Sequence, residues 1–318
     1  MKKIFGLMLL CMLLLTSCKK GNNVDEVKRV TNYLSGLSSY SLTSNMKINR
    51  PDKNVSLGVS VDYLSPDYYK VCFKGDNEQM IIKNERGVYV LTPSLNKEFR
   101  FDSNWPLNSS HAYLLEAINK DIKADSEAKG SIVGTDLVVE CKIAHKTNQK
   151  LTTMRYTCDQ DLKPKQTIFL NDKNDEVITV DFDNFEPNKN LGKDNFNEKK
   201  YLNQDQEGPS EDGETSLSVT TGFTVEGSTL ASSSTSDKAT ILCYSGETNY
   251  SIIVSKVDIA SEVVAIENYD TIEFLSCGVC CMSENSMRYY LNGYEVTIYS
   301  NTLTVDDYLN IAESITLA

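Results

Sequence analysis

Histidine is almost missing from this chain: His111 and His145 are the two in 318 residues. Proton-transfer catalysis is therefore poorly provided for, because histidine is the side chain that most readily gives and takes a proton near neutral pH. His111 falls in the first turn of an amphipathic segment and His145 in a polar hairpin turn, so both read as solvated surface groups. GxSxG, HExxH, GxGxxG and a phosphate-binding loop are also absent, which removes the common signatures of acyl-transfer, metalloprotease and nucleotide-binding sites. Positive charge is in deficit, with 32 Lys and Arg against 44 Asp and Glu and a net charge of −12. Such a surface repels phosphate backbones and excludes nucleic acid as a partner. No apolar run reaches the roughly 20 residues that a membrane-spanning helix needs.

What is present starts with export. Lys2 and Lys3 precede the uncharged apolar run Ile4 to Leu15, the layout of a signal peptide. The run ends in Leu15-Thr16-Ser17-Cys18, which resembles the bacterial lipobox, where the cysteine takes diacylglycerol and becomes the new N-terminus. Cys18 is thus the expected lipidation site; the alternative is a plain secretory signal with an incidental cysteine. Two or more acyl chains hold stably because each buried methylene contributes about 0.8 kcal/mol. The mature chain is then expected on the outer face of the bacterial cell membrane, anchored by lipid and otherwise soluble. Loss of Lys2 and Lys3 takes its charge from −12 to −14.

Periodicity divides the rest. Val24, Val27, Val30, Leu34 and Leu37 recur at helical spacing, with Gly36 near the end. From Tyr40 the period changes to two through YSLTSNMKI, VSLGVSVDYL, YYKVCF, EQMIIK, GVYVLT and KEFRF, an antiparallel meander. Asn84 to Gly87 reads as a four-residue hairpin loop. A second helix is expected in LNSSHAYLLEAINKDIK, capped by Ser109 or Ser110, before strands resume in DLVVECKI, LTTMRYTC, KQTIFL and EVITVDFDNF. Residues 203–216 carry five acids, no base and no periodicity, the composition of a flexible linker. Beyond it a Ser/Thr-rich loop (STLASSSTSD) precedes further strands, the hairpin turn Asn292-Gly293 and a last helix with a Thr304–Asp307 capping box. The expected divisions are a signal peptide at 1–17, a first domain at 18–202, the linker at 203–216 and a smaller domain at 217–318.

Candidate chemistry is sparse. Ser94 and Lys97 match SxxK, but Ser94 follows Pro93 between strands and no SDN or KTG accompanies it. Asp181, Asp183 and Glu186 lie on one strand without the oxygen-rich, glycine-containing loop that calcium sites use, so a solvated strand face is the better reading. Cys141 and Cys158 flank one turn in consecutive strands, and a disulfide between them forms if the register matches. Cys277, Cys280 and Cys281 make CGVCC with no second cysteine pair and no nearby histidine, so no metal site is assigned; buried thiols or a structural disulfide are the readings left. No catalytic residue and no cofactor are expected.

The order of lipobox, helix, strand meander, inserted helix and further strands resembles the outer-membrane lipoprotein carrier (LolA-like) superfamily. Within it, MIIKNERGVYVLTPSLNKEFRFDSNWPLNSSHAYLLEAINKDI at 80–122 is similar to the sporulation-associated lipoproteins of Gram-positive spore formers. The likeness is looser over 24–200 and fades toward TVDDYLNIAESI. It implies an α+β fold: a strongly curved antiparallel sheet, an incomplete barrel covered by helices, followed by a small β-rich α+β domain. It also implies a non-enzymatic protein that accepts an acyl chain, a lipoprotein or a hydrophobic peptide in its concave side. The strand GVYVLT is apolar on both faces, as a covered or lined sheet requires. Val88, Val90, Tyr113, Leu114 and Ile118 are the candidate cavity or lid residues, although a dry pocket and a filled core share this composition. A sensor module that binds a membrane protein is the alternative, with an envelope protein as partner.

Overall fold

The computed structural model describes residues 23–50, 53–75, 78–101, 105–107, 109–145, 148–202, 217–257 and 271–318. The export signal, Cys11, Cys18 and the linker at 203–216 lie outside the described residues. Helix α1 (Asn23–Gly36) opens with Asp25 and Glu26, where carboxylates offset the positive end of the helix dipole. It buries Val30 and Leu34.

Strands β1 (Ser39–Ile48), β2 (Val55–Leu64), β3 (Tyr68–Lys74), β4 (Glu78–Asn84), β5 (Gly87–Thr92) and β6 (Lys97–Phe101) form the meander. Helix α2 (Leu115–Ala124) interrupts it before β7 (Lys129–Val133), β8 (Asp136–Lys142), β9 (Leu151–Cys158), β10 (Pro164–Asn171) and β11 (Glu176–Pro187). All eleven join one sheet in the order β6-β5-β4-β3-β2-β1-β11-β10-β9-β8-β7. The pairing of β1 with β11 brings the two runs together, and the ends β6 and β7 stay unpaired with each other, so the curved sheet is open. A bulge at Thr43/Ser44 and another at Phe169/Leu170 bend it.

The second sheet contains β13 (Ser228–Thr235), β14 (Ala239–Gly246), β15 (Tyr250–Lys256), β16 (Thr271–Leu275), β17 (Gly278–Met282), β18 (Ser286–Leu291) and β19 (Tyr294–Tyr299), ordered β13-β14-β15-β19-β18-β17-β16. Helix α3 (Val305–Ser314) packs on one face of it, and β12 (Val219–Thr221) pairs with β20 (Ile315–Leu317). Thr304 and Asp307 form the expected capping box. Asn292 and Gly293 take φ values of 50° and 82°, the left-handed backbone that a type I′ turn needs. The fold is thus α+β, as the resemblance implied.

Four local expectations are corrected. The run STLASSSTSD is largely the edge strand β13, because cross-strand pairing with β14 overrides its loop-like composition. Asn84 pairs with Gly87, so two residues rather than four make that turn. Helix α2 starts at Leu115 with no side-chain cap, because Ser110 bonds the side chain of Asp121 instead of a helix amide. The Cys141–Cys158 disulfide does not form, and both thiols are free and buried. Cys141 sits opposite Met154 and Cys158 opposite Leu137. That four-residue offset is roughly 13 Å along the strand, well beyond the ~7 Å limit for Cα atoms of a disulfide.

Both faces of β5 are buried. Val88 and Val90 join the inner core, while Tyr89 and Leu91 pack with Tyr68, Met80, Ile82 and Phe196 on the outer face. Two short 3-10 turns, Lys193–Phe196 and Glu198–Tyr201, supply that outer cover. Its closing ion pair joins Arg86 to the buried Glu198 at 2.5 Å.

Candidate functional site

Inward-facing side chains of the eleven-stranded sheet fill one end of its concave side with rings. Tyr40 contacts Tyr63 at 5.3 Å between centroids and Phe185 at 6.0 Å; Tyr63 meets Tyr69 at 5.0 Å, and Tyr69 meets Trp105 at 5.7 Å. The chain of contacts continues through His111, Tyr113 and Phe73 to Phe274 of β16. Tyr40 donates a 2.7 Å hydrogen bond to Glu116 of α2. Burial among these rings raises the Glu116 carboxyl to about 7, against the lowering effect of the Tyr40 bond.

The other end of the concave side is not filled. A cavity of about 400 Å³ lies where β1 ends, β9 begins and β10 and β11 meet. Met46, Ile48, Leu151, Phe169, Val177 and Ile178 of the large sheet line it, with Ile272 and Phe274 of β16 and Leu309 of α3 opposite. Its walls therefore come from both sheets. Its size falls at the lower end of the ~300–1,000 Å³ typical of small-ligand pockets. Asn171, Asp175, Glu176, Lys150 and Asp306 give it a polar rim, where Lys150 and Asp306 pair at 2.6 Å.

Two histidines belong to this cavity, which corrects their expected place at the surface. His111 is buried against Trp105 and Tyr113, and His145 is half-buried against Phe169. Burial pushes His111 down to about 3 and His145 down to about 4, so both rings are neutral at pH 7. Tyr113 Oη lies 3.5 Å from His111 Nδ1, and His111 Nε2 is buried without a hydrogen-bond partner. An unpaired buried polar atom of this kind costs roughly 1–3 kcal/mol.

The two sheets are joined beside the cavity. Glu313 of α3 accepts from Arg50 at 3.2 Å, from Lys53 at 3.0 Å and from the Ser276 amide at 2.7 Å. Arg50 also donates to the Phe274 carbonyl, and the Val279 amide donates to Gln79 Oε1. Gly75 sits under this turn: a Cβ there would stand 2.8 Å from Leu57 and 3.3 Å from the Ser276 carbonyl. β17 divides its side chains between two interiors, Val279 and Cys281 inward to the large sheet, Cys280 and Met282 toward α3. Burial pushes the Cys280 thiol well above its ordinary range, and Cys277, Cys280 and Cys281 are buried thiols.

Of the candidate residues, Tyr113 lines the cavity, whereas Val88, Val90, Leu114 and Ile118 lie in the packed core away from it. Ser94 is in a 3-10 turn and Lys97 in edge strand β6. Asp181 accepts from Gln166 at 2.7 Å and Asp183 from Asn45 at 2.8 Å. Among the described residues no three His, Cys, Asp or Glu side chains gather closely enough to hold a metal ion, and no helix is long and apolar enough to cross a membrane. The cavity residues Phe169, Ile178, Ile272 and Leu309 carried no sequence signal, since each reads as an ordinary core position in its own element.

Comparison with known proteins places this architecture. The family described as "Sporulation protein YdcC-like" matches residues 1–196. The sporulation protein YdcC of Bacillus subtilis (strain 168) is 30% identical over 321 residues, covering 96% of this chain and 94% of its relative. The chain belongs to the YdcC-like sporulation proteins. Among solved structures, the Pseudomonas aeruginosa MucA/MucB complex is 12% identical, with 93% of this chain and 99% of that chain covered at a TM-score of 0.34. A LolA superfamily protein from Nitrosomonas europaea is 12% identical, with 57% and 99% covered at a TM-score of 0.32. The fold assignment for this YdcC-like chain rests on its own strand order.

Proposed function

We propose that this YdcC-like protein is a non-enzymatic lipoprotein, anchored through Cys18 to the outer face of the cell membrane. It binds one acyl chain, or the apolar part of a lipoprotein or peptide, in the cavity between its two sheets. The observation that carries this reading is an apolar cavity walled by both sheets with a polar rim at Asn171, Asp175 and Lys150: a chain fills the former and a polar head meets the latter. The cavity's size suits one chain rather than several. The 18–202 and 217–318 divisions serve this role as a holder and its cover.

Native mass spectrometry of the chain from residue 19 onward tests it, together with titration of a fluorescent acyl ester. Uptake of one ester per chain is expected, and filling the cavity wall with Val177→Phe is expected to abolish it. A protein that purifies empty and ignores the ester removes the proposal. A second reading, a sensor module acting on an envelope protein, is favoured by the cavity's two-sided walls, because an occupant changes how the sheets meet. In-cell crosslinking from Lys53 or Lys150 that captures no protein would count against it.

A further inference from the structure

A group of exposed apolar side chains lies at the end of the large sheet opposite the cavity. Seven large apolar side chains are exposed among the described residues, and three share this end: Val24 at 59%, Ile132 at 50% and Val133 at 62%. Ile132 and Val133 are consecutive at the tip of the β7–β8 hairpin, which turns at Gly134 with φ of 63°. Neighbours in a strand point to opposite faces, so exposure of both leaves the tip uncovered on each side. Arg29 of α1 donates to the Gln160 carbonyl, and Gln160 donates at 2.9 Å to the Thr135 carbonyl. These bonds gather the middle of α1, the β7–β8 tip and the β9–β10 turn at one pole, with Val24 about 7.5 Å of helix N-terminal to Arg29.

We propose that this pole is a bilayer-docking surface, with Val24, Ile132 and Val133 inserted among the lipids that hold the Cys18 anchor. The inference rests on the anchor reading above. Five residues, 19–23, separate Cys18 from Val24, at most about 22 Å of chain, so this pole is the part of the fold kept against the membrane. Two ion pairs there, Arg29 with Glu26 at 3.7 Å and Lys165 with Asp136 at 2.6 Å, neutralise part of its charge. Burial of apolar surface, rather than attraction to anionic headgroups, is the force that seats it. The cavity, at the opposite ends of β9 and β10, then faces away from the bilayer.

A polarity-sensitive fluorescent amino acid placed at position 133 of the full lipidated chain, with one at Ser232 as control, tests the surface in phosphatidylcholine vesicles. Emission at 133 is expected to move to shorter wavelength while 232 stays water-like. A water-like 133 in vesicle-bound protein overturns the proposal, as does a shift seen in native membranes but not in protein-free vesicles, which would make the partner a protein. Radiolabelled palmitate decides the anchor separately. If no label is incorporated, flotation of the chain from residue 19, which keeps every described residue, judges the tip alone. Binding is then expected to fall at least about tenfold in the Ile132→Ser/Val133→Ser variant, and equal flotation of parent and variant overturns the surface.

Discussion

The two ends of the concave side are built on the same strands and finish differently. At the start of β1 the sheet satisfies itself, with Tyr40, Tyr63, Tyr69, Trp105 and Phe185 in mutual contact around Glu116. At the end of β1 the sheet leaves space that β16, α3 and the 109–113 segment enclose. Curvature alone therefore does not make a cavity; one remains where a second element supplies the opposite wall.

The largest expected effect breaks the junction between the two ends. Phe73 touches both Tyr113 and Phe274, and Phe73→Ala is expected to cost about 3–5 kcal/mol in urea denaturation. Next, Glu116 gives the filled end a pH signature. Its carboxyl is raised in the folded state from 4.5 to about 7, so the native protein holds the proton more tightly and stability falls as pH rises between those values. Glu116→Gln removes that slope, and its advantage over the parent grows by about 2–3 kcal/mol from pH 4 to pH 8; parallel curves would show that the carboxyl is wetter than its surroundings indicate.

The clamp at the open end has the opposite sign. Burial works against the Glu313 charge, but the Ser276 bonds and Lys53 outweigh it and hold the carboxyl below 4.5. Its contribution is present above pH 4.5 and is lost as pH falls through the lowered value. Glu313→Gln is expected to cost about 2 kcal/mol at pH 7 and progressively less as pH falls below 4.5, read by thermal unfolding across pH. The smallest effect sharpens the contrast directly. Val61→Phe, in the packed region, is expected to cost about 1–3 kcal/mol, whereas Val177→Phe at the cavity changes stability by less than about 1 kcal/mol while blocking ester uptake. Similar costs for both would mean the cavity closes in solution.

What the sequence made legible was local. The alternation of β1 and β2, the Asn292-Gly293 turn and the Thr304–Asp307 cap each depend on residues within a few positions of one another, and all appear as expected. What it hid depends on partners far along the chain. Cys141 and Cys158 look pairable until the β8–β9 register sets them four residues apart. His111 and His145 look solvated because the cavity they border is closed by β16 and α3, which come more than a hundred residues later. The same distance explains the cavity residues: apolar periodicity says that Val88 and Phe169 are both inside, and only the placement of the second sheet decides that Val88 is packed and Phe169 borders a void.

The β16–β17 hairpin serves as a party wall. Ile272, Phe274, Val279 and Cys281 belong to one interior, Leu275, Cys280 and Met282 to the other. A chain cut at residue 202 would strip the first interior of that masonry and leave Phe73 and Tyr113 facing water, so the halves rise and fall together on heating instead of melting as independent tenants.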